Sequence, residues 1–513
     1  MMLSVTKFIG KQVYCFLIIS LLFISTSFAQ RAVSKWAYLN AQGRLAYKTL
    51  PTGDRIMDFS QAGYMGGGIV LPTPNVTGTL KPLQGDNTDA IQQAIDEVSK
   101  KELIKGVRGV VLLAPGIFNC DRPITISATG VVLRGSGPDS ITGSVINMTG
   151  SPHTCIIIKG NIAIQKQGNV TNFTENYVPA ATDHFTINDA SGFAVGDTIL
   201  ITRPVTQEWV KFMEMDQLVR DGKKQTWLTG DITIQRVITK LDKNTITVDV
   251  PLSDNYDAKY LGAAGVKVQK ISVTGEPAQI GVENLRIVSP AQSLTINDKH
   301  NQAINMRDVT DSWLKNIQIL NTVNSISIAA KRITVKTVNI FHEVPTLGAA
   351  KPADLSAGGS QILFEDCRIT GDNVFFLATG AKVSGPIVLL NCVFKGNGWI
   401  QPHQRWATGL LIDNCIVPDG GIELMNRGEM GSGHGWAIGW SVAWNCTAKS
   451  FLNQQPPGSA NWMIGCKGDR EQKPMPFTKD PLLPEGIYDA HGTSVVPESL
   501  YLAQLKERLE KTK

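Results

Sequence analysis

The chain has 513 residues, of which 42% are hydrophobic, and its 49 Lys and Arg against 44 Asp and Glu give a formal net charge of +5. This length exceeds what one small core can organise, so two domains or an extended repeat are expected. No dense block of Lys and Arg is present, which argues against a nucleic-acid partner but leaves open a locally positive groove for an acidic substrate.

Residues 1–29 have the order of a secretory signal peptide. Lys7 and Lys11 precede an apolar run over residues 13–24, and small residues follow up to Ala29. The apolar run is about half of what a bilayer span requires. We therefore expect cleavage after Ala29, a secreted or periplasmic protein, and no membrane span.

The segment from residue 30 to residue 164 begins with a helix signal and continues with strand signals. Residues 85–100, GDNTDAIQQAIDEVSK, predict an amphipathic helix that begins near Asn87 or Thr88. The runs GVVLLAPGIFNC, ITISATGVVLRGSG and CIIIKG then predict strands separated by glycine turns. Between residues 165 and 265 apolar and polar residues alternate, which predicts an inserted antiparallel β unit.

Short apolar strands recur every 20 to 30 residues in the C-terminal half of the chain, the pattern of a solenoid with stacked coils. Five of these frames contain a cysteine: Cys367, Cys392, Cys415, Cys446 and Cys466. The residue before the equivalent apolar position is asparagine in five of eight frames: Asn284, Asn316, Asn391, Asn414 and Asn445. We predict a stacked asparagine ladder with the cysteines beside it; disulfide bonds between the cysteines are the alternative.

These patterns predict an all-β fold, a right-handed parallel β-helix whose main part spans residues 266–480. Residues 481–513 form a tail, and its PESLYLAQLKERLE sequence predicts a helix that covers the edge of the last coil. The helix at 85–100 followed by VVLLAPGIF and GVVLRGSG resembles the N-terminal coils of the pectate-lyase-like β-helix superfamily. That resemblance extends over most of the chain, but these motifs specify fold rather than chemistry.

Two histidines occupy the same position of the repeat. His403 and His434 each lie 12 residues before the cysteine of their own frame, and Arg405 and Trp436 share the position two residues further on. Equal positions on adjacent coils stack about 4.8 Å apart. We therefore predict one patch from these four residues, extended by Lys382 one coil earlier. The alternative is that the histidines only satisfy hydrogen bonds of glycine-rich turns.

Further polar residues are predicted to lie around this patch. His342 ends an earlier frame, Lys351 belongs to the long excursion after it, and Asn426 and Arg427 begin the enlarged coil that contains Gly433-His434-Gly435. The predicted catalytic residues are His403, Arg405, His434 and His342. The predicted substrate-binding residues are Arg427, Asn426, Trp436, Lys351 and Lys382.

The residue types of the patch suit β-elimination from a uronic acid. That reaction needs cations or hydrogen-bond donors for the substrate carboxylate and a base for the proton at C5. Hydrolysis of a glycosidic bond instead requires two carboxylates. Gly433-His434-Gly435 is similar to a motif of polygalacturonase-like hydrolases, but their Asp-Asp pair does not occur in this chain. We predict a lyase acting on an acidic polysaccharide or oligosaccharide, with a glycoside hydrolase as the alternative.

A non-catalytic carbohydrate-binding β-helix is a further alternative. A zinc site built on His403 and His434 has no visible third ligand at metal-like spacing. The calcium-binding aspartate cluster of pectate lyase is not found in the sequence either, so the cofactor is left unassigned, with a divalent cation such as calcium still open. We expect the protein to be a monomer.

Overall fold

The computed structural model describes residues 31–511, so the predicted signal peptide lies outside it. Most regular structure in this range is β. The helices are Thr88–Ser99, Gln207–Phe212 and Leu500–Lys511, with short 3-10 helices at Tyr64–Gly66 and Ala258–Tyr260. No helix within residues 31–511 has the length and apolar character needed to cross a membrane.

The main body is one sheet of 25 strands that pair in parallel along the stack. Its strands are Val76–Leu80, Gly109–Leu113, Gly116–Cys120, Ile124–Ile126, Val131–Arg134, Ser144–Met148, Thr154–Lys159, Gly281–Val288, Gln302–Leu320, Ile326–Phe341, Ala353–Ala357, Ser360–Glu365, Arg368–Thr370, Val374–Thr379, Ser384–Leu390, Val393–Lys395, Gly398–Ile400, Ala407–Asp413, Ile416–Leu424, Ile438–Gly439, Ser441–Trp444, Thr447–Asn453, Asn461–Ile464, Lys467–Glu471 and Ile487–Asp489. The predicted parallel stacking of short strands is confirmed.

Successive strands wind as coils with three faces. Face A contains Ser360–Glu365, Ser384–Leu390, Ala407–Asp413, Ser441–Trp444 and Asn461–Ile464. Face B contains Arg368–Thr370, Val393–Lys395 and the first residues of Ile416–Leu424 and Thr447–Asn453. Face C contains Ala353–Ala357, Val374–Thr379, Gly398–Ile400 and the last residues of the same two long strands.

The interior of the coils is filled by columns of apolar side chains in register. On face A, Phe364, Leu389, Ile412, Ala443 and Met463 stand on one another from coil to coil, and all five are buried. Because each coil covers the apolar side chains of its neighbours, one continuous core extends along the stack. The predicted N-terminal helix is present at Thr88–Ser99, and its buried residues join this core at the first coils.

The corner between faces A and B contains the asparagine ladder. The side-chain amide of Asn316 donates to Oδ1 of Asn284 over 2.8 Å, and that of Asn414 donates to Oδ1 of Asn391 over 2.8 Å. These residues have φ between 53° and 57°, in the left-handed region that asparagine tolerates. The ladder is confirmed for these two pairs. Asn445 departs from it, because its side-chain amide donates instead to the carbonyl oxygens of residues 495 and 498.

The cysteines after this corner are reduced and buried, and no disulfide is present among residues 31–511. The Sγ atom of Cys415 lies 3.6 Å from the carbonyl oxygen of Leu389 on the preceding coil, and Sγ of Cys446 lies 3.2 Å from that of Ile412. The disulfide alternative is therefore wrong for the cysteines that the structure describes.

Burial makes the ladder thiols inaccessible to reagents. We expect Cys392 and Cys415 to resist a maleimide in the native protein and to react completely after denaturation, as measured by mass spectrometry of the labelled peptides. Rapid labelling of either cysteine without unfolding would contradict the stacked ladder.

The inserted unit is a six-stranded antiparallel sheet with the strand order Ala163–Asn172, Lys267–Thr274, Thr198–Pro204, Asp231–Asp242, Thr245–Val248 and His184–Thr186. Two-stranded pairs accompany it at Tyr177–Val178 with Tyr256–Asp257 and at Val219–Arg220 with Lys223–Lys224. The unit packs on the outside of face A through tryptophans. Trp209 stacks on Trp227 at 5.1 Å and meets Trp406 edge-on at 5.8 Å.

A buried carboxylate joins the inserted unit to the coils. Asp254 accepts a hydrogen bond from Nη1 of Arg203 at 2.7 Å, from Nε1 of Trp406 at 2.8 Å and from Nε1 of Trp440 at 3.1 Å. Arg203 and Asp254 belong to the inserted unit, whereas both tryptophans belong to the coils. Because all four side chains are buried, this cluster fixes the unit against the coil that carries Arg405.

The predicted C-terminal helix is present at Leu500–Lys511, but it does not cover the last coil. It lies along face A, where Asp413 accepts hydrogen bonds from Oγ of Ser499 and from the backbone N–H of Tyr501, both over 2.7 Å. The hydroxyl of Tyr501 donates to the carbonyl oxygen of Ala62. The helix therefore covers the side of the middle coils, together with the N-terminal hairpin Ala37–Leu39 and Leu45–Tyr47.

Candidate functional site

The loop over residues 425–437 depends on two glycines. Gly431 and Gly435 have φ of +58° and +55°. A Cβ atom on Gly431 would lie 2.2 Å from Nε2 of His434, and one on Gly435 would lie 2.3 Å from Cδ1 of Trp227. Glycine is therefore required by the backbone conformation and by close contacts. The imidazole of His434 therefore occupies the space in which a side chain at residue 431 would stand.

His403 and His434 form a contacting pair at the corner between faces C and A. Their ring centroids lie 4.7 Å apart, and the ring planes make an angle of 78°, an edge-to-face arrangement. The backbone N–H of Arg405 donates to the carbonyl oxygen of His434 over 2.9 Å. The predicted stacking of these positions on adjacent coils is confirmed.

Two arginines lie around the histidine pair. Nη2 of Arg405 donates to the carbonyl oxygen and to Oγ of Ser432, over 2.9 and 2.7 Å. The guanidinium carbon of Arg427 lies 5.2 Å from the ring centre of Phe375, whose ring is in turn 6.0 Å from that of His403. Both predicted arginines therefore belong to the same cluster as the histidines.

The environment of the pair favours neutral imidazoles. Burial, followed by the charges of Arg427 and Arg405, lowers the pKa of His403 to about 4. Burial, His403 and the same arginines lower the pKa of His434 to about 3. Burial also lowers the pKa of Arg427 to about 10, although Glu423 opposes this shift. At neutral pH the site thus combines two uncharged imidazoles with two guanidinium cations.

A chain of hydrogen bonds extends from Arg427 along face C, and sequence reasoning missed its members. Nη1 of Arg427 donates to Oε1 of Gln401, and Nε2 of Gln401 donates to Oε2 of Glu423. Nζ of Lys473 contacts Glu423 at 3.2 Å and Glu471 at 2.6 Å. The only sequence signal for these residues is their equivalent position in successive coils, because they lie in no common motif.

Lys351 reaches the outer surface of face C. Its Nζ lies 4.9 Å from the ring centre of Trp399 and donates to Oδ1 of Asn373 over 2.5 Å. Trp399 stands in register with Phe375 on the preceding coil. Burial and the charge of Arg427 lower the pKa of the Lys351 ammonium. Lys351 thus adds a cation on the same face as the arginines.

Two polar atoms of the cluster have unused hydrogen-bonding capacity. Nε of Arg427 and Nδ1 of His434 are buried and have no partner among the residues that the structure describes. Buried polar atoms in proteins are nearly always bonded, so both atoms are available to a ligand that displaces the groups covering them. Arginine Nε can only donate, whereas histidine Nδ1 accepts in one neutral tautomer.

His342 and Asn426 do not lie in the cluster. Nε2 of His342 pairs with the fully buried Asp354 at 2.8 Å. Asp354 lies at the start of a face C strand, whereas His403 follows the end of another face C strand, so the two histidines lie at opposite ends of this face. Asn426 is buried, and its Oδ1 accepts from the N–H of Gly428, so it stabilises the turn instead of facing a substrate.

Lys382 and Trp436 are also placed differently from the prediction. The backbone N–H of Lys382 donates to the carbonyl oxygen of Arg405, as the repeat predicts, but its Nζ donates to backbone carbonyl oxygens of the inserted unit. Trp436 is buried, and its Nε1 donates to the carbonyl oxygen of Met213. Because the inserted unit covers this side of the coils, both residues connect the two parts of the protein.

Several solved structures resemble this chain at low identity. The Gp54 tailspike of Acinetobacter baumannii bacteriophage AP22, in complex with A. baumannii capsular saccharide, has 12% identity, a TM-score of 0.31, and coverage of 75% of this chain and 72% of its own. PfbA, a surface adhesin of Streptococcus pneumoniae, has 9% identity, a TM-score of 0.32, and coverage of 77% and 90%. A glycoside hydrolase has 9% identity, a TM-score of 0.21, and coverage of 83% and 100%.

No protein-family model matches the sequence, and a search of the curated proteins finds no match. Within residues 31–511, no group of three or more His, Cys, Asp and Glu side chains has the arrangement of a metal site.

Carboxylates near the repeat cysteines have structural partners. Asp413 caps the C-terminal helix, and burial raises its pKa to about 7. Asp419 accepts from the backbone N–H of Gly396 over 3.2 Å. Two further carboxylates, Glu423 and Glu471, both contact Lys473, and Glu423 is connected to Arg427 through Gln401.

Proposed function

We propose that the protein is a polysaccharide lyase that cleaves a uronic-acid-containing glycan by β-elimination at the His403–His434 pair. The observation that carries this proposal is the contact between two imidazoles, with ring centres 4.7 Å apart, whose pKa values are lowered by burial and by two neighbouring arginines. Neutral imidazoles can accept a proton, and guanidinium groups can bind a carboxylate with paired hydrogen bonds.

In this mechanism Arg427 and Arg405 bind the uronate carboxylate, which makes the proton at C5 more acidic. Nδ1 of His434, which lacks a partner among the described residues, takes this proton. The electrons of the C5–H bond form the C4–C5 double bond, and the bond from C4 to the leaving oxygen breaks. The imidazolium returns its proton to that oxygen, so the enzyme ends in its initial state. His403 holds the ring of His434 through its edge-to-face contact.

Substrate binding would activate the base. The arginine charges contribute to the low pKa values of both histidines, and a bound carboxylate offsets those charges. Burial, the largest cause of the low pKa of His434, remains, so substrate raises this pKa only by the part that the arginine charges contribute, which strengthens the imidazole as a base.

This mechanism predicts a specific pH dependence. The base must be unprotonated, so kcat/KM should fall only as the pH drops through the free-enzyme pKa values of about 3 and 4. The acidic limb of the kcat profile reports the pKa of the base in the enzyme–substrate complex, so it should lie at higher pH than that of kcat/KM. The substrate carboxylate also titrates at low pH, so the profile of the unchanged enzyme alone does not identify the base. Arg405→Gln removes a cation that lowers the histidine pKa values, and it should move the acidic limb of kcat/KM to higher pH. An unmoved limb would contradict the role of the arginine charge.

Glycoside hydrolysis is the second candidate, favoured by Glu423 and Glu471. One ammonium, that of Lys473, contacts both carboxylates at 3.2 and 2.6 Å, which is compatible with the separation of about 5 Å seen in retaining hydrolases. However, the hydrogen bond from Lys473 lowers the pKa of Glu471, whereas a general acid needs a raised pKa. The lyase therefore has the better support.

We also propose the finer structural assignments that the sequence suggested. The coils would be right-handed, as almost all crossovers between parallel strands of one sheet are, and of the pectate-lyase-like type. The protein would be exported after cleavage of residues 1–29 and would act as a monomer on acidic polysaccharide.

A substrate screen tests the proposed function. Purified protein is incubated with pectate, alginate, hyaluronate, chondroitin and heparin, with dextran as the neutral control, and the absorbance of unsaturated uronate is followed in the ultraviolet. The proposal predicts an increase with at least one acidic polymer and none with dextran. Reducing ends released from any of these polymers without an absorbance change would favour the hydrolase.

A further inference from the structure

A cavity lies between the inserted unit and the late coils, and its lining contains neither histidine of the proposed catalytic pair. Its volume is about 330 Å³, within the range of about 300–1,000 Å³ that is typical of small-ligand sites. Six aromatic side chains line it: Tyr177, Trp209, Phe212, Tyr260, Trp406 and Trp440. Such a lining provides a large apolar contact surface with polar groups at its edges.

Two buried polar atoms belong to residues of this lining and have no hydrogen-bond partner within residues 31–511. They are Nε of Arg203, whose side chain is 4% exposed, and Oγ of Ser459, a residue that is 5% exposed. Nε of arginine can only donate, whereas a serine hydroxyl can donate and accept. A complementary ligand therefore offers at least one acceptor oxygen and one hydroxyl group.

The lining contains one cation, Arg203, which is already paired, and the two carboxylates of Asp54 and Asp257. Arg203 is neutralised by Asp254 at 2.7 Å. Asp54 accepts from the hydroxyl of Tyr177 at 2.6 Å and from the backbone N–H of Ala180 at 2.7 Å. An anionic ligand would be desolvated beside these carboxylates without a free cation of the lining, which is unfavourable. The cavity therefore favours a neutral ligand, unlike the cation-rich histidine site.

Ring stacking in the lining defines the shape of this ligand. Phe212 stacks on Tyr260 at 4.0 Å with only 17° between the ring planes, so this wall of the cavity is built from two parallel rings. Gly458 approaches this wall so closely that a Cβ atom there would lie 2.9 Å from the Phe212 ring. A pyranose ring has apolar C–H faces for such a wall and hydroxyl groups around its edge. We propose that this cavity binds one neutral hexopyranose unit and is a carbohydrate-binding site separate from the catalytic pair.

Binding is tested on the whole exported chain with the methyl glycosides of glucose, galactose and mannose, one at a time. Saturation-transfer NMR and tryptophan fluorescence should both show saturable binding of at least one of them, with a Kd on the order of 1 mM. Glucuronate, the charged counterpart, should bind at least about tenfold more weakly because its carboxylate has no free counter-ion in the cavity.

Substitutions in the lining establish whether the sugar occupies this cavity. Phe212→Ala and Ser459→Ala should each weaken binding by about threefold to tenfold, whereas Tyr38→Ala, an aromatic change outside the cavity, should leave it unchanged. His434→Ala should also bind normally, so failure of the catalytic proposal would not remove this signal. Absence of saturable binding for all three glycosides, or unchanged affinity in both cavity variants, would overturn the proposal.

Discussion

Replacing either histidine of the pair with alanine should leave a folded protein whose turnover is at least about a hundredfold lower, the low end of general acid–base contributions. His434→Ala removes the imidazole that takes the C5 proton. His403→Ala removes the ring that packs against the imidazole of His434 at a centroid distance of 4.7 Å. A displacement of the reacting imidazole by about 1 Å can also lower the rate about a hundredfold. Initial rates on the polymer identified by the screen measure both changes.

The matched control is His184→Ala. His184 is exposed and pairs with the exposed Asp183 on the inserted unit, away from the pair, so its removal should not change turnover. Circular dichroism of all three variants should match the unchanged protein. Folded His403→Ala and His434→Ala proteins with nearly full activity would show that the pair is structural.

Asp254→Ala should lower the free energy of unfolding by about 3–5 kcal/mol, the usual effect of removing one partner of a buried ion pair. The change leaves the buried guanidinium of Arg203 without its anion and deprives the indole N–H groups of Trp406 and Trp440 of their acceptor. Because Trp406 follows Arg405 in the chain, we also expect activity to fall. Urea denaturation followed by tryptophan fluorescence measures the loss of stability.

Asp183→Ala is the control for this prediction. The Asp183–His184 pair is exposed, and its loss should change the free energy of unfolding by no more than about 0.5 kcal/mol. If Asp254→Ala were no more destabilising than Asp183→Ala, the buried cluster would not be what fixes the inserted unit to the coils.

The coil pattern could be predicted from sequence because it repeats. Each coil must bury its apolar residues against the same positions of its neighbours, so Cys415 and Cys446 mark equivalent positions, and the histidines 12 residues before them must stack. The asparagine ladder follows from the same repetition, since each corner needs a residue that accepts a left-handed conformation. Local periodicity therefore predicted the parallel stacking of the strands and the contact between the two histidines.

Side-chain direction could not be predicted in the same way. Trp436 and Lys382 stack in the repeat as expected, but the inserted unit covers the side of the coils on which they lie. The position of the inserted unit depends on contacts between residues distant in sequence, such as Asp254 with Trp406. His342 was predicted to join the pair, yet it bonds Asp354 at the other end of the face C strands. Gln401 and Glu423 could not be predicted because they share no sequence motif with Arg427. They reach it only because they occupy equivalent positions on adjacent coils of face C.

The most direct test of the central claim is a mass spectrum of the products formed in heavy-oxygen water. β-Elimination at the His403–His434 pair predicts that one new end is a 4,5-unsaturated uronate lacking the elements of water. It also predicts that neither fragment contains solvent oxygen when the new reducing ends are reduced with borohydride before they exchange with water. His434→Ala should remove this product without changing the folded structure. Saturated fragments that contain one heavy oxygen atom would contradict the lyase assignment and show that the glycosidic bond is hydrolysed.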